Sequence, residues 1–350
     1  MKRIVFLIMS VITIMSLFGG SYKKVEARDI PYEIICYTGE VKHFFTHELI
    51  YDPQKAFSRN NNLRYCLDRD HLTTSEFLNF LEEMRTNNYI LIDFETMYEI
   101  KDGKLNKKEL FLPVNKKPFT LSLDDMSYDT TNLGIITKLI IDEDGEIKDY
   151  TESENKKVTS ERESITILEE YLKKYPKFSY NNSKMCICVN GYNGILGYRI
   201  QENTEKAEKE REELKKVVQK LKQLGYTFAS HSYTHSFINS VTPEFLVRDM
   251  KRWEKEIQSI VGDTKIFCFP GGIHDHTSYN DYLIRERYNL LLCVGLDLNK
   301  KGENGKTFKY IYRTPLDGNS LRTYPNMYRD IFEPSKIYDN TSRIIKYRNV

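Results

Sequence analysis

The chain has no CxxC pair among its six cysteines, Cys36, Cys66, Cys186, Cys188, Cys268 and Cys293, so the usual spacing of a zinc knuckle or a dithiol redox centre is missing. It also lacks net charge, carrying only +2 over 350 residues. The broad basic field of a nucleic-acid binder is therefore absent, and a small, well-defined ligand is the better expectation. After Phe18 there is no second long apolar run, no internal repeat and no clear interdomain linker. What remains is a chain of 40% hydrophobic residues, enough to bury a large core, read here as one domain over 28–350. No obligate protein partner is expected.

The first 27 residues read as an export signal: Lys2 and Arg3 precede the apolar stretch Ile4–Phe18, and Val25-Glu26-Ala27 supplies a small-residue end. Cleavage after Ala27 is the preferred reading and an N-terminal membrane anchor the alternative. Both put the body of the protein outside the cytoplasmic membrane, secreted or attached to the cell surface. In such a compartment the cysteines are expected to be buried thiols plus at most one disulfide.

Strand and helix patterns alternate along the body. Thr73-Thr74-Ser75-Glu76 forms a capping box ahead of the helical stripe Phe77, Leu78, Phe80, Leu81 and Met84. Tyr89–Asp93 and Phe119–Leu123 read as buried strands, and Thr204–Leu224 as a charged amphipathic helix closed by Gly225. Thr242-Pro243 opens another helix, in which Trp253 reads as core, and Lys265–Phe269 and Leu290–Val294 are further strands. A segment at about 135–199 is an insertion, with a hairpin turning at Asp142–Gly145. The alternation predicts a parallel α/β barrel or a doubly wound sheet.

Two apolar runs end in chemistry-bearing residues: Asp124-Asp125 after Leu121-Ser122-Leu123, and His231-Ser232-Tyr233-Thr234-His235 after Phe228-Ala229. Each motif is common alone; both at strand ends, where α/β folds place their sites, predict a metal centre. One carboxylate and two imidazoles leave positions open for water and substrate, and if helical the i, i+4 histidines share a face. Zinc is expected first by ligand type, with cobalt, nickel, manganese or iron as alternatives.

Leu121–Asp125, His231–His235 and Phe269-Pro270-Gly271-Gly272 occur in the order of the first three motifs of the polysaccharide deacetylase family, carbohydrate esterase family 4 or NodB homology domain, which the chain resembles over about 40–325. The resemblance implies a distorted, incomplete (β/α) barrel that hydrolyses N-acetyl, less often O-acetyl, groups on an acetylated glycan. It implies Asp125, His231 and His235 as metal ligands and Asp124 as general base, with a backbone N–H at Gly271-Gly272 near the oxyanion. Three departures stand out. Met126 replaces the usual Gly after the aspartates, Cys268 stands where an Arg usually pairs with the base, and no His appears around Tyr312–Gly318 to protonate the leaving amine. His274 and His276 are candidates for that acid, and Arg313 and Asp317 for contacts to substrate or base. His47 reads as a packed histidine, with a place lining the mouth as the alternative. The alternative to an enzyme is a catalytically impaired, metal-containing glycan-binding relative.

Overall fold

The computed structural model describes residues 33–128, 133–295 and 305–343. The expected export segment, 1–27, lies outside the described residues, and within them no helix is long and apolar enough to cross a membrane. Eight strands carry the architecture: β1 (Lys42–Thr46), β2 (Tyr89–Leu91), β3 (Lys117–Asp124), β4 (Cys186–Val189), β5 (Thr227–Ser230), β6 (Ile266–Cys268), β7 (Leu290–Val294) and β8 (Lys309–Pro315). All pairings among them are parallel, in the order β4-β5-β6-β7-β8-β1-β3, and β3 pairs back to β4 so that seven strands close into a barrel. The short β2 flanks the first half of β3, against Lys117–Phe119. The incomplete (β/α) barrel is thus the observed fold, and the doubly wound sheet is excluded by closure.

Parallel strands are covered on both faces, so they read as continuous apolar runs. β3 is buried from Pro118 to Asp124. Inside, Cys186, Cys188, Ala229, Cys268, Leu292 and Ile311 pack in one layer. An antiparallel hairpin, Tyr98–Lys101 with Lys104–Lys107, joins the same cluster, and its Tyr98 lines a cavity with Lys42 and Lys309, the first residues of β1 and β8. It plugs the N-terminal end of the barrel and leaves the C-terminal end open. The polar stretch 101–117 gave no sign of this hairpin.

Helices α1 (Thr74–Thr86), α2 (Ser164–Lys174), α3 (Glu205–Leu224), α4 (Pro243–Trp253), α5 (Tyr279–Arg285) and α6 (Gly318–Thr323) surround the barrel. The capping box is present at α1, where Thr73 accepts from the Glu76 N–H and Glu76 accepts from the Thr73 N–H. Gly225 closes α3 at φ 102°, a left-handed position that favours glycine. Trp253 is wholly buried and donates to the Val189 carbonyl at 2.9 Å.

The segment 135–199 divides in two. Lys138–Ile141, Ile147–Thr151 and Lys157–Thr159 form an appended antiparallel sheet. α2 and β4 that follow are an ordinary crossover unit, so the true addition is only the sheet. All six thiols are free, with Cys36 and Cys66 exposed and the others buried; no disulfide forms.

Candidate metal centre and its buried arginine

Asp124 ends β3 with its side chain in the barrel lumen, beside Cys188 of β4, its register partner. The next residue, Asp125, turns into the left-handed region at φ 57°, which aspartate tolerates better than most residues. Asn190, just beyond β4, donates to Asp125 Oδ1 at 2.8 Å. Met126 needs no glycine-like backbone and is buried in the core instead, so its departure from the family pattern costs nothing there.

His231 and His235 leave β5 in a loop, not a helix. The expected helical facing of i, i+4 histidines is therefore wrong. Ser232 and His235 take φ 57° and 54° and curl the chain so that both rings return to one place, 4.8 Å apart. Asp249 of α4 holds this loop, accepting from the Tyr233 and Thr234 N–H groups at 2.7 and 2.9 Å. Sequence reasoning missed Asp249; an Asp on the apolar stripe of α4 was the available signal.

One ligand atom each from Asp125, His231 and His235 lies within 4.8 Å of the others. His235 Nε2 stands 3.3 Å from Asp125 Oδ2, and His231 Nε2 stands 3.7 Å from Oδ1. The His231 Nδ1 is 2.8 Å from the Cys268 carbonyl. A carbonyl can only accept, so Nδ1 carries a hydrogen and Nε2 is the nitrogen that would give up its proton to take a cation. This donor set fits a divalent metal. Burial opposes the charged form of His231, but Cys268 and then Asp125 outweigh it and lift its pKa to about 10: negative charge is gathered here.

A second group, Asp124, His231 and Cys268, is equally close-set. A cation there would face a guanidinium, because Arg313 of β8 enters the same space. Its Nη1 and Nη2 donate to the two Asp124 oxygens at 2.7 and 2.9 Å, Nη1 also donates to Ser122 Oγ at 2.7 Å, and Nη2 lies 3.0 Å from Cys268 Sγ. The guanidinium also lies over the Phe45 ring, 4.5 Å from its centroid. Arg313 is wholly buried.

Of the two contacts expected of Arg313, to substrate or to base, the one formed is to the base, because no face of it reaches solvent. The base does not lack its arginine: the charge comes from β8 instead of the position of Cys268, whose small side chain leaves room for it. Burial acts to raise the Asp124 pKa, but Arg313 and His231 hold the carboxyl well below the usual range. Burial likewise acts to raise the Cys268 thiol, yet Cys188 and Arg313 bring it down to about 6.

The other candidates fall elsewhere. Asp317 caps α6, accepting from the Ser320 N–H at 2.6 Å. The Gly272 N–H is spent on the Phe269 carbonyl at 2.7 Å, so it is not an oxyanion donor. Gly271 is exposed at φ 63°, and a Cβ there would meet Phe237 at 2.6 Å. His274 lies against Tyr310 with ring centroids 4.6 Å apart, and its Nε2 is 3.1 Å from the Tyr312 hydroxyl. Those tyrosines alternate along β8 with the inward Ile311 and Arg313, so His274 is packed outside the barrel wall. His276 is exposed, 6.4 Å from it.

Residues 181–285 match the family model of polysaccharide deacetylases. The segment holds both histidines and the turn at Pro270–Gly272, whereas Asp124, Asp125 and Arg313 lie outside it. No curated protein sequence matches the chain. Among solved structures, the Streptococcus pyogenes deacetylase PplD in complex with acetate aligns at 15% identity and a TM-score of 0.45, over 85% of this chain and 99% of that one. A putative polysaccharide deacetylase from Bacillus anthracis aligns at 10% identity and 0.47, over 84% and 69%. A polysaccharide deacetylase from Bacillus cereus aligns at 12% and 0.47, over 85% and 69%.

Proposed function

We propose that the chain is an exported, metal-dependent deacetylase that hydrolyses N-acetyl, and less readily O-acetyl, groups on a cell-surface or extracellular polysaccharide. The observation that carries this reading is the Asp124–Arg313 pair, buried immediately beside a two-histidine, one-carboxylate cluster. Asp125, His231 and His235 would hold the cation, zinc first by ligand type. When bound, such an ion polarises an acetyl carbonyl and acidifies a water molecule. Asp124 then takes the proton of the attacking water. Arg313 keeps Asp124 ionised at every working pH and thereby makes it a weak base, suited only to a proton already loosened. The N-terminal stretch Ile4–Phe18 supports export.

A glycan-binding relative without turnover is the second reading. It drew its support from a missing arginine and a missing acid histidine, and Arg313 removes the first. A buried guanidinium held bidentate on a carboxylate is costly to maintain, and simple binding does not require it. The test is acetate release from acetylated chitooligosaccharides and from peptidoglycan after loading with zinc or cobalt. Wild type should release acetate, and chelation or Asp124→Asn should stop it. Metal binding with no acetate release from any acetylated glycan would favour the binding module.

A further inference from the structure

An amide nitrogen cannot leave as an anion in water, so hydrolysis of an N-acetyl group needs a proton donor as well as a base. Asp124 is ionised and His274 is outside the barrel wall. The donor must lie in the lumen near Asp124. β1 supplies one. His43 and Phe45 face the lumen: His43 Nδ1 is 2.8 Å from Thr120 Oγ1 of β3, and Phe45 lies under the Arg313 guanidinium. The alternation that turns residues 43 and 45 inward turns His47 inward too, at the open end. Thr46 pairs with Leu123, so the next residues along, His47 and Asp124, are neighbours at the ends of adjacent strands.

We infer that His47 is the catalytic proton donor to the leaving amine, an inference that rests on the deacetylase reading. Its Nδ1 is 2.9 Å from the Asp70 carbonyl. A carbonyl accepts only, so Nδ1 carries a hydrogen and Nε2 is the nitrogen that exchanges its proton. Among the described residues Nε2 has no hydrogen-bond partner. His71 stands behind the ring, 5.6 Å away, fixed by its own Nδ1 at 2.8 Å from the Glu48 carbonyl. The ring is thus clamped on one edge and open on the other. Burial works against its charged form, but Asp125, Asp124 and Asp70 outweigh it and hold its pKa above the ordinary value.

The proton balance closes. Water adds to the acetyl carbon and its proton passes to Asp124. The C–N bond then breaks, its electron pair staying on nitrogen, which takes the Nε2 proton of His47. Acetic acid and the free amine leave and exchange a proton in water to give acetate and ammonium, and the proton on Asp124 returns to His47 through solvent.

The test compares leaving groups. His47→Ala and His47→Gln are assayed on an N-acetylated chitooligosaccharide and on 4-nitrophenyl acetate, whose nitrophenolate departs without a proton. On the amide, kcat should fall about 10²–10⁴-fold with KM nearly unchanged. On the aryl ester both variants should turn over about as fast as wild type, and calorimetric zinc affinity should be unchanged. Equal losses on both substrates, or no loss on the amide, would overturn the assignment. If the zinc-loaded wild type releases no acetate from either substrate, the deacetylase reading itself fails and takes the assignment with it.

Discussion

Asp124 and Glu163 are both buried carboxyl groups with satisfied oxygens, and they lie at opposite ends of the acidity range. Asp124 meets a guanidinium through both oxygens and is held well below the carboxylate range. Glu163 accepts from the Leu49 N–H at 3.0 Å and from the Ser164 N–H and hydroxyl at 2.6 and 2.7 Å, and has no cation. Burial pushes its pKa up to about 8. Beside it, burial likewise takes Asp149 up to about 7 against the donations of Thr166, Arg162 and Glu163. At Glu163 neutral dipoles fill the lone pairs without offsetting burial, whereas at Asp124 a full opposite charge keeps the carboxyl ionised. Asp124 is built for proton chemistry and Glu163 pins the appended sheet to the barrel.

The largest effect should come from breaking the charged pair. Arg313→Met leaves Asp124 buried and unpaired, a cost of about 3–5 kcal/mol in stability. Arg313→Lys keeps the charge without the fork, and acetate release should fall by about 100-fold, or about 2.7 kcal/mol in barrier. In the lysine variant the acid limb of the pH–rate profile should move to higher pH, because Asp124 is less well held. An unmoved limb would mean that Arg313 does not set the ionisation of the base.

Cys268 sharpens the same comparison at a smaller scale. If it serves as the space into which Arg313 reaches, Cys268→Ala should lower acetate release by less than about tenfold, under about 1.4 kcal/mol in barrier. A loss as deep as that of Arg313→Lys would assign the thiol a direct part in the reaction. Metal affinity, read by calorimetry, should stay near wild type in this variant, since the Cys268 carbonyl that orients His231 is backbone.

The barrel and the gathering of Asp125, His231 and His235 were legible because both aspartates and both histidines directly follow apolar runs, and strand ends gather at one mouth. The shape of the His231–His235 loop was not legible, since two left-handed residues and the reach of Asp249 decide it. Which of its two expected contacts Arg313 makes was open for a different reason: its partner lies 189 residues away, and only barrel closure brings β8 and β3 within reach of each other. A signal was nevertheless present. Tyr310-Ile311-Tyr312-Arg313-Thr314-Pro315 is a strand pattern with a charge on its inward phase, and a buried arginine demands a carboxylate. The hairpin at 98–107 is mostly exposed and polar, so periodicity had little to report. His47 carried its meaning in the register with β3, which no local pattern reveals.

The smallest effect tests the other half of the comparison. Glu163 has a folded-state pKa near 8 against an ordinary value of 4.5, so the folded state holds a proton that the unfolded chain has already lost. The stability this gives is complete below the unfolded pKa and disappears as pH rises through 8. Asp149 and Glu48, both about 7, act in the same sense. His43 and His71, which burial lowers to about 3 and about 4, act oppositely, but only below roughly their unfolded value of 6.5; between pH 7 and pH 9 Cys268, brought down to about 6, opposes the fall, while His231, raised to about 10, adds to it. Asp124 is ionised throughout. Between roughly pH 7 and pH 9 the wild-type melting temperature should therefore fall, and Glu163→Gln, which cannot ionise, should flatten that fall by part of its depth. Activity of this variant at pH 7 should be near wild type, because it touches the anchor and not the Asp124–Arg313 pair. A wild-type melting temperature that climbs across this window would mean that the backbone N–H donors alone keep Glu163 ionised, and the contrast with Asp124 would dissolve.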